Sequence, residues 1–579
     1  MPKHSLCVTL ILGCMCAAPQ MAQATSDSFM EAPFGAIASQ GELGRRLRLS
    51  YNRLELYTPE VALAGNEGWP GDREGRALLG QVLTAQAMGL PSHQADALLL
   101  GIAGRLNARG YLGPVLPAGV MDEQVLAGHS WLLRGLIEYH KYKHDDRSLR
   151  MIDALIKNLL LPARGFYERY PISAANRPQT EKADGTIVGA VVDGWRLSSD
   201  IGCAFIMLDG ATSAHELAPT DALESLIQIM IKRFAMIDLQ VVGAQTHASL
   251  SAARAILRFA RLSKRNALVA IAEKVFTTYK QHAMTDHFAN DNWFGKPRWT
   301  EGCAIIDSFD VAMLLWQATE NVAYLEDAQN IYFNGIGFNQ RPNGGFGCDT
   351  CPGSNGSPYL APYKDIFEAF ACCSMRGGEG MAKASVWQVA TKGNDVALTT
   401  LQSFSAKLEL PAGALAFSVN TAFPITGQAQ VRVHQAPAGA RLQVFMPSWV
   451  DASRVVVKLK GAIVAHTLEN GWLRLPQPLA AGQTIDIKFP ITLRAVESIN
   501  ASRLPGVRGF RHGPLVMGAL RPGKEPGLPF EDVAKARVLP KAHYKFSAYT
   551  LVPITGLAFL PEKQAKEWSQ QILFPLRAP

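Results

Sequence analysis

Two short stretches bring sulfur and carboxylate close together: Trp299-Thr300-Glu301-Gly302-Cys303, and Phe370-Ala371-Cys372-Cys373 followed by Ser374-Met375-Arg376-Gly377-Gly378. Each leads into a helical pattern, with Thr300 a natural N-cap for the first. A thiol in a first helical turn has its thiolate favoured by the helix terminus. On an ideal helix Glu301 and Cys303 would point to nearly opposite sides, so both face one point only if the segment is still entering the helix. Three thiolates, from Cys303, Cys372 and Cys373, and the Glu301 carboxylate make a tetrahedral donor set suited to zinc. Four protein ligands describe a closed site, so residue types alone leave a structural and a catalytic metal equally open.

Nine cysteines occur in the chain, and Cys7, Cys14 and Cys16 fall in the N-terminal segment. The remaining six, Cys203, Cys303, Cys348, Cys351, Cys372 and Cys373, invite a disulfide reading. Disulfide frameworks belong mainly to small domains, and adjacent residues such as Cys372 and Cys373 cannot bridge each other without a strained ring, so metal comes first. A Gly-rich run, Arg341 to Gly353, holds the Cys348-x-x-Cys351 pair. Without a thioredoxin-like βαβ context the redox reading fails; a local disulfide is expected there, with two further zinc ligands as the second reading.

These motifs need a scaffold. From about Gly41 to Gln388 helical windows succeed one another: Leu78 to Met88, Leu126 to Tyr142, Leu149 to Leu160, Ala222 to Met236, Leu250 to Leu262, Ala267 to Tyr279 and Phe309 to Ala318. Burying every apolar face over some 300 residues with no fixed repeat predicts an (α/α)6 toroid over 25–390. After about Asn394 the pattern alternates, as in Thr484-Ile485-Asp486-Ile487-Lys488-Phe489, predicting an antiparallel β-sandwich over 391–579. The whole is an α + β multidomain chain.

The chain starts with Met1-Pro2-Lys3-His4, an apolar run from Leu6 to Ala18, and Ala22-Gln23-Ala24, the order of a secretory signal peptide over 1–24. An exported protein, periplasmic or extracellular, is expected, with no membrane segment after cleavage, because no later apolar run reaches the roughly 20 residues a spanning helix needs. The 579 residues are 48% hydrophobic and 18% charged, with 57 basic against 49 acidic side chains and a formal charge of +8. No run of five like charges and no basic stripe with aromatics occurs, so nucleic acid is not an expected partner.

Glu301-x-Cys303 followed by Ala371-Cys372-Cys373, the Gly128-His129 helix, the helical toroid and the β-rich tail together resemble the β-L-arabinofuranosidases of glycoside hydrolase family 127. The resemblance implies a retaining exo-hydrolase of a terminal furanoside on a glycan. In it Glu301, Cys303, Cys372 and Cys373 hold zinc and Cys372 is the nucleophile that forms a thioglycosyl intermediate. A zinc-held thiolate is a ready nucleophile at neutral pH. The resemblance also implies an acid/base carboxylate before the Glu-x-Cys motif, and here this chain departs from the pattern: Asp286 is the positional counterpart, with Asp291 and Glu379 as alternatives. It matches His129 and His247 to sugar-contacting histidines. Trp69, Trp293 and Trp299 are each expected in the core, although any could stack on a sugar ring, and Asp72 with Arg76 forms a buried pair without an assigned role. Two rivals remain: a polysaccharide lyase, which would use Tyr and His and not need the thiols, and a zinc-stabilised glycan-binding protein without turnover.

Overall fold

The structure is a computed structural model that describes residues 28–65, 68–177, 185–353, 357–363, 367–522, 527–555 and 568–576. The expected signal peptide, 1–24, lies outside the described residues. Twelve helices alternate between two rings: α1 (Gly41–Leu54), α2 (Asp72–Met88), α3 (Ala95–Ala103), α4 (Glu123–Lys143), α5 (Asp146–Leu155), α6 (Met207–Leu217), α7 (Asp221–Phe234), α8 (Thr246–Ser263), α9 (Val269–His282), α10 (Gly302–Thr319), α11 (Ala323–Asn330) and α12 (Cys373–Val386). The even-numbered helices each pack on the next and α12 closes back on α2, making the inner ring; the odd-numbered ones pack outside it. This is the expected (α/α)6 toroid.

Sequence explains which helix goes where. Outer α5 buries only Ser148, Met151, Ile152 and Leu155, one stripe at helical spacing. Inner α4 is buried on almost every face from Glu123 to Ile137, its apolar residues spread round the helix with buried polar ones such as Glu123, His129 and Arg134 among them. Asp122 caps it, accepting from the N–H groups of Gln124 (2.8 Å) and Val125 (3.0 Å). Close approach of α2 and α4 needs Gly75, where a Cβ would sit 2.1 Å from the Leu132 nitrogen.

Because each outer helix returns the chain, the inner helices all run the same way and their N-termini gather at one mouth. Six partial positive charges therefore face one another there, a setting that favours anions. Beneath that mouth the axis is filled with paired charge. Arg134, Arg254 and Arg376 reach Glu379, Arg254 reaches Asp310 (3.1 Å) and Asp209 (2.5 Å), and Arg376 pairs with Asp307. These side chains are almost fully buried, and the arginines around Asp209 outweigh its burial and hold its carboxyl well below the usual range. Replacing Asp209 by Asn would leave buried guanidinium charge uncompensated, and a loss of about 3–5 kcal/mol in urea unfolding is expected.

The β half contains a six-stranded and a seven-stranded sheet over roughly 389–489, with alternating burial such as that of Phe404–Leu410. The pairing is antiparallel except for Arg441–Phe445, which runs parallel to Asp395–Leu398. Two pieces of the helical half enter the sheets: Met30–Glu31 pairs with Val389–Lys392, and Ile37–Ser39 pairs with Phe404–Leu410. A third sheet of nine strands, mostly from Leu493 onward, takes in Tyr359–Leu360. The helical and β parts are therefore stitched together at the start of the described chain and again after the Gly-rich loop. No helix among the described residues is long and apolar enough to cross a membrane.

Candidate functional site

Cys372 is the N-cap residue of α12 and Cys373 its first helical residue, while Glu301 holds the same cap position on α10 with Cys303 two residues on. The two helix starts touch. A Cβ on Gly302 would meet the Cys373 Cβ at 2.9 Å, so only glycine lets α10 and α12 come this close. Thr300, expected to cap α10, instead accepts the Asp349 N–H at 3.0 Å and ties the Gly-rich loop to the helix start. Cys303 and Cys372 Sγ lie 3.3 Å apart, and the Sγ atoms of Cys303, Cys372 and Cys373 all fall within 4.8 Å of one another. Cys303 and Cys373 are buried, whereas Cys372 is partly exposed.

Charge is crowded here. The S–H groups of Cys303 and then Cys373, followed by Arg76, hold the Cys372 thiol well below its ordinary range. Cys303 is pushed up chiefly by burial, and Cys373 chiefly by its hydrogen bond with Cys303, with Cys348 next. Within the cluster the contacts thus favour the ionised form most at Cys372. Burial first, then the charge of Cys372, pushes Glu301 up to about 8. Three thiols and a carboxyl share essentially one cation, Arg76, whose Nη1 is 2.9 Å from Cys303 Sγ and 3.6 Å from Cys372 Sγ. A divalent cation among Glu301, Cys303, Cys372 and Cys373 would relieve this excess of acidic groups, and sulfur-rich donors suit zinc, so the residues present fit it.

Asp72 and Arg76 belong to this site. Asp72 Oδ1 accepts from Arg76 Nε and lies 2.8 Å from Nη2 as well, one turn away on α2. The same guanidinium thus spans carboxylate and thiols, and it stacks 4.5 Å from the Trp131 ring centre. Arg376 stacks at 4.4 Å on that ring. Burial first, with Cys372 also contributing, raises the Asp72 carboxyl to about 6 against the pull of Arg76. The signal available in sequence was an i, i+4 pair of opposite charges at the start of a helix that is buried along most of its length.

His247, second in α8, joins the cluster: its Nδ1 is 3.5 Å from Glu301 Oε1 and its Nε2 3.4 Å from Asp307 Oδ2. Asn292 completes the Glu301 surroundings, with its NH2 oriented toward Glu301 Oε2 at 2.6 Å and its oxygen toward Trp299 Nε1 at 3.2 Å.

Several expected residues are elsewhere. The Asp286 carboxylate accepts from Ser498 Oγ (3.0 Å), the Ile499 N–H (2.9 Å) and Asn500 Nδ2 (3.0 Å), fastening the loop after α9 to the third sheet. It lines a cavity of about 320 Å³ with Phe288, Asp327 and Arg511. Asp291 pairs with Arg503 of the same β unit, and Glu379 is locked among the axial arginines. His129 does not offer a free nitrogen to a sugar: Nδ1 faces the Val125 carbonyl at 2.7 Å and Nε2 accepts the Leu112 N–H at 2.9 Å. Trp293 donates to Asp200 (3.2 Å) and Trp69 to the Gly185 carbonyl (3.1 Å), the core roles expected of them. The Cys348–Cys351 disulfide does not form. Asp349 between them is pinned by Arg341 (2.6 Å) and Asn339 (2.8 Å), so Cys348 turns to Cys373 while the Cys351 thiol faces the Asn290 carbonyl at 3.7 Å.

Burial holds His129 neutral, lowered to about 4, and His287 likewise, to about 3. Folded values below the ordinary 6.5 mean that the unfolded chain takes the protons first. The stability they contribute is complete above about pH 6.5 and is lost as pH falls toward 4, at about 1.4 kcal/mol per pH unit for each histidine. Urea midpoints measured at pH 7 and pH 5 should fall accordingly, and His129→Gln should flatten the dependence.

The geometry agrees with what comparison finds. A family model described as the middle domain of GH127 beta-L-arabinofuranosidases matches residues 398–491, the sandwich that follows the toroid. A solved GH127 beta-arabinofuranosidase superposes with a TM-score of 0.69 at 13% identity, over 95% of this chain and 98% of that one. A GH127 beta-L-arabinofuranosidase from Geobacillus stearothermophilus T6 gives 0.68 at 11% identity, over 93% and 100%. A structure described as a glycoside hydrolase gives 0.68 at 12%, over 95% and 98%. None of the curated proteins compared with the sequence matches it. Over 93–95% of its length the chain has the fold of the GH127 enzymes, and residues 398–491 match their middle domain, so the resemblance read from its motifs holds at the level of architecture.

Proposed function

We propose that this protein is an exported, retaining exo-glycosidase of the GH127 type that cleaves a terminal β-L-arabinofuranoside-like sugar, with Cys372 as nucleophile. The observation that carries the reading is that Cys372 is the partly exposed thiol of a cluster whose other two members are buried and hydrogen-bond to it. A structural zinc knot has no use for one reachable sulfur. Zinc bound by Glu301, Cys303, Cys372 and Cys373 would keep the thiols ionised and spread the charge of the attacking sulfur.

The rest is done by side chains. Cys372 Sγ forms a bond to the anomeric carbon while the bond from that carbon to the leaving oxygen breaks with its electron pair. The leaving oxygen takes a proton from Asp72. Arg76 fixes Oδ1 of that carboxyl, leaving Oδ2 without a hydrogen bond among the described residues. A carboxyl raised to about 6 is matched to donating a proton near neutral pH. Water then attacks the anomeric carbon, gives its proton to Asp72, and the carbon–sulfur bond breaks to return the thiolate. Double displacement retains configuration.

The test is direct. Zinc-loaded protein is mixed with a p-nitrophenyl β-L-arabinofuranoside and the first-formed sugar is read by proton NMR. Release of the β anomer supports the reading. No release from any pentofuranoside at one zinc per chain overturns it, and tight sugar binding under those conditions would favour the non-catalytic rival.

A further inference from the structure

The thiol site holds one donor more than a tetrahedral zinc can use. A ring nitrogen of His247, a Glu301 carboxylate oxygen and Cys303 Sγ lie within 4.8 Å of one another, and Cys303 is also a member of the three-thiol group. An ion beside Cys303 therefore has two donor sets within reach.

The imidazole is arranged as a ligand would be. His247 Nε2 and Asp307 Oδ2 are both buried, make no other hydrogen bond and face each other at 3.4 Å. A proton on Nε2 points toward Asp307 Oδ2 and leaves the Nδ1 lone pair on the side of Glu301 Oε1, 3.5 Å away. A cation that displaces the Glu301 proton would find Nδ1 and Oε1 as two donors facing one gap. Asp307 is itself held by Arg254 (2.9 Å) and Arg376, and the imidazole is stacked on Trp131 at 5.7 Å and 20°. A histidine whose outer N–H faces a carboxylate needs only a small approach of the two to be oriented and made more basic for metal binding.

We propose that His247 is a reserve metal ligand, which takes the coordination position that Cys372 vacates when its sulfur becomes bonded to carbon. This rests on the reading of Cys372 as a metal-bound nucleophile. As Cys372 Sγ joins the anomeric carbon it passes from thiolate to neutral thioether, a weaker donor. His247 Nδ1 then restores a four-ligand set with Glu301, Cys303 and Cys373. The metal stays in place through a turnover that removes one of its ligands, and no new residue has to enter from solvent.

Metal binding tests this without recourse to activity. Wild type, H247Q, C372A and the double variant are loaded with zinc, dialysed, and titrated with a competing chelator, with circular dichroism as the check on folding. C372A should keep about one zinc per chain, H247Q alone should behave nearly as wild type, and the double variant should bind at least about tenfold more weakly than C372A. In the cobalt-substituted proteins the sulfur-to-metal charge-transfer band should drop by about a third in C372A, for two thiolates in place of three. A second measurement avoids the double variant: iodoacetamide on Cys372 should leave zinc bound in wild type and release it in H247Q.

Equal affinity of C372A and the double variant overturns the inference, as does retention of zinc by alkylated H247Q. If C372A loses its metal while wild type still hydrolyses a furanoside, the inference fails and the function stands. If the metal results hold but no glycoside turns over, the proposed function fails and the reserve ligand stands. A wild-type protein that binds no zinc overturns both.

Discussion

With Cys372 as the proposed nucleophile, Cys372→Ala is expected to lower glycoside turnover by about 10⁴-fold or more, the scale on which loss of a nucleophile acts when nothing can replace it. The neighbouring thiols do not substitute, because Cys303 and Cys373 are buried while Cys372 alone of the three is partly exposed. Cys372→Ser is expected to be as poor, since a hydroxyl in that place is a far weaker acid than the thiol and gains little from two S–H donors. The measurement is paired: kcat with an aryl furanoside, and intact mass after an epoxide or haloacetyl sugar. Wild type should gain one sugar, mapped to Cys372, and the variants none. An adduct on Cys303 or Cys373 at wild-type rate would reassign the nucleophile, and activity within tenfold of wild type in C372A would remove the thiol from the chemistry altogether, as the lyase rival requires.

The second large effect belongs to Asp72. Asp72→Asn keeps the shape of the side chain and a hydrogen bond to Arg76 but cannot give up a proton to a leaving oxygen. A drop of about 10²–10⁴-fold is expected on alkyl or sugar leaving groups, while a dinitrophenyl furanoside, which leaves without protonation, should lose much less. Asp286→Asn is the contrast. Its carboxylate serves the third sheet, so its loss should show in thermal stability and leave the leaving-group dependence unchanged. If the two variants exchange these behaviours, the proton donor is Asp286 and the loop carrying it moves when substrate binds. With Asp72 raised to about 6, the wild-type rate should also fall on the alkaline side as that proton is lost, and D72N should lack that limb.

The parts of the site legible in sequence were those set by local rules. Glu301-x-Cys303 and Cys372-Cys373 announce themselves because residues that begin inner helices are placed by the helix start itself, whatever the rest of the chain does. Helical and alternating periodicities were similarly local, and they gave the toroid and the sandwich with their order. What was not legible depended on which distant backbone a side chain meets. Asp286 was placed by its distance in sequence from the Glu-x-Cys motif, yet Ser498, Ile499 and Asn500, in the turn after the strand Leu493–Glu497, claim its carboxylate. His129 was placed by its helix, yet the Leu112 N–H of a loop folded over it takes Nε2 while the Val125 carbonyl, one turn back on the same helix, takes Nδ1. The CxxC spacing suggested a local bridge, yet Arg341 and Asn339 pull Asp349 inward and turn the two thiols to different partners.

The sequence by itself determined that this protein has a sulfur-rich, metal-suited cluster at the start of two helices in an α/α toroid, because donor type and helix phase are properties of short segments. Only the tertiary structure decided which carboxylate and which histidine stand beside it. Asp72, Arg76 and His247 reach Cys303 and Cys372 from two other inner helices because ring closure aligns the N-termini at one mouth, and Gly75 and Gly302 let those helices close to contact. Burial there, away from water, turns an i, i+4 ion pair and a core histidine into the groups proposed to move a proton and to hold a metal.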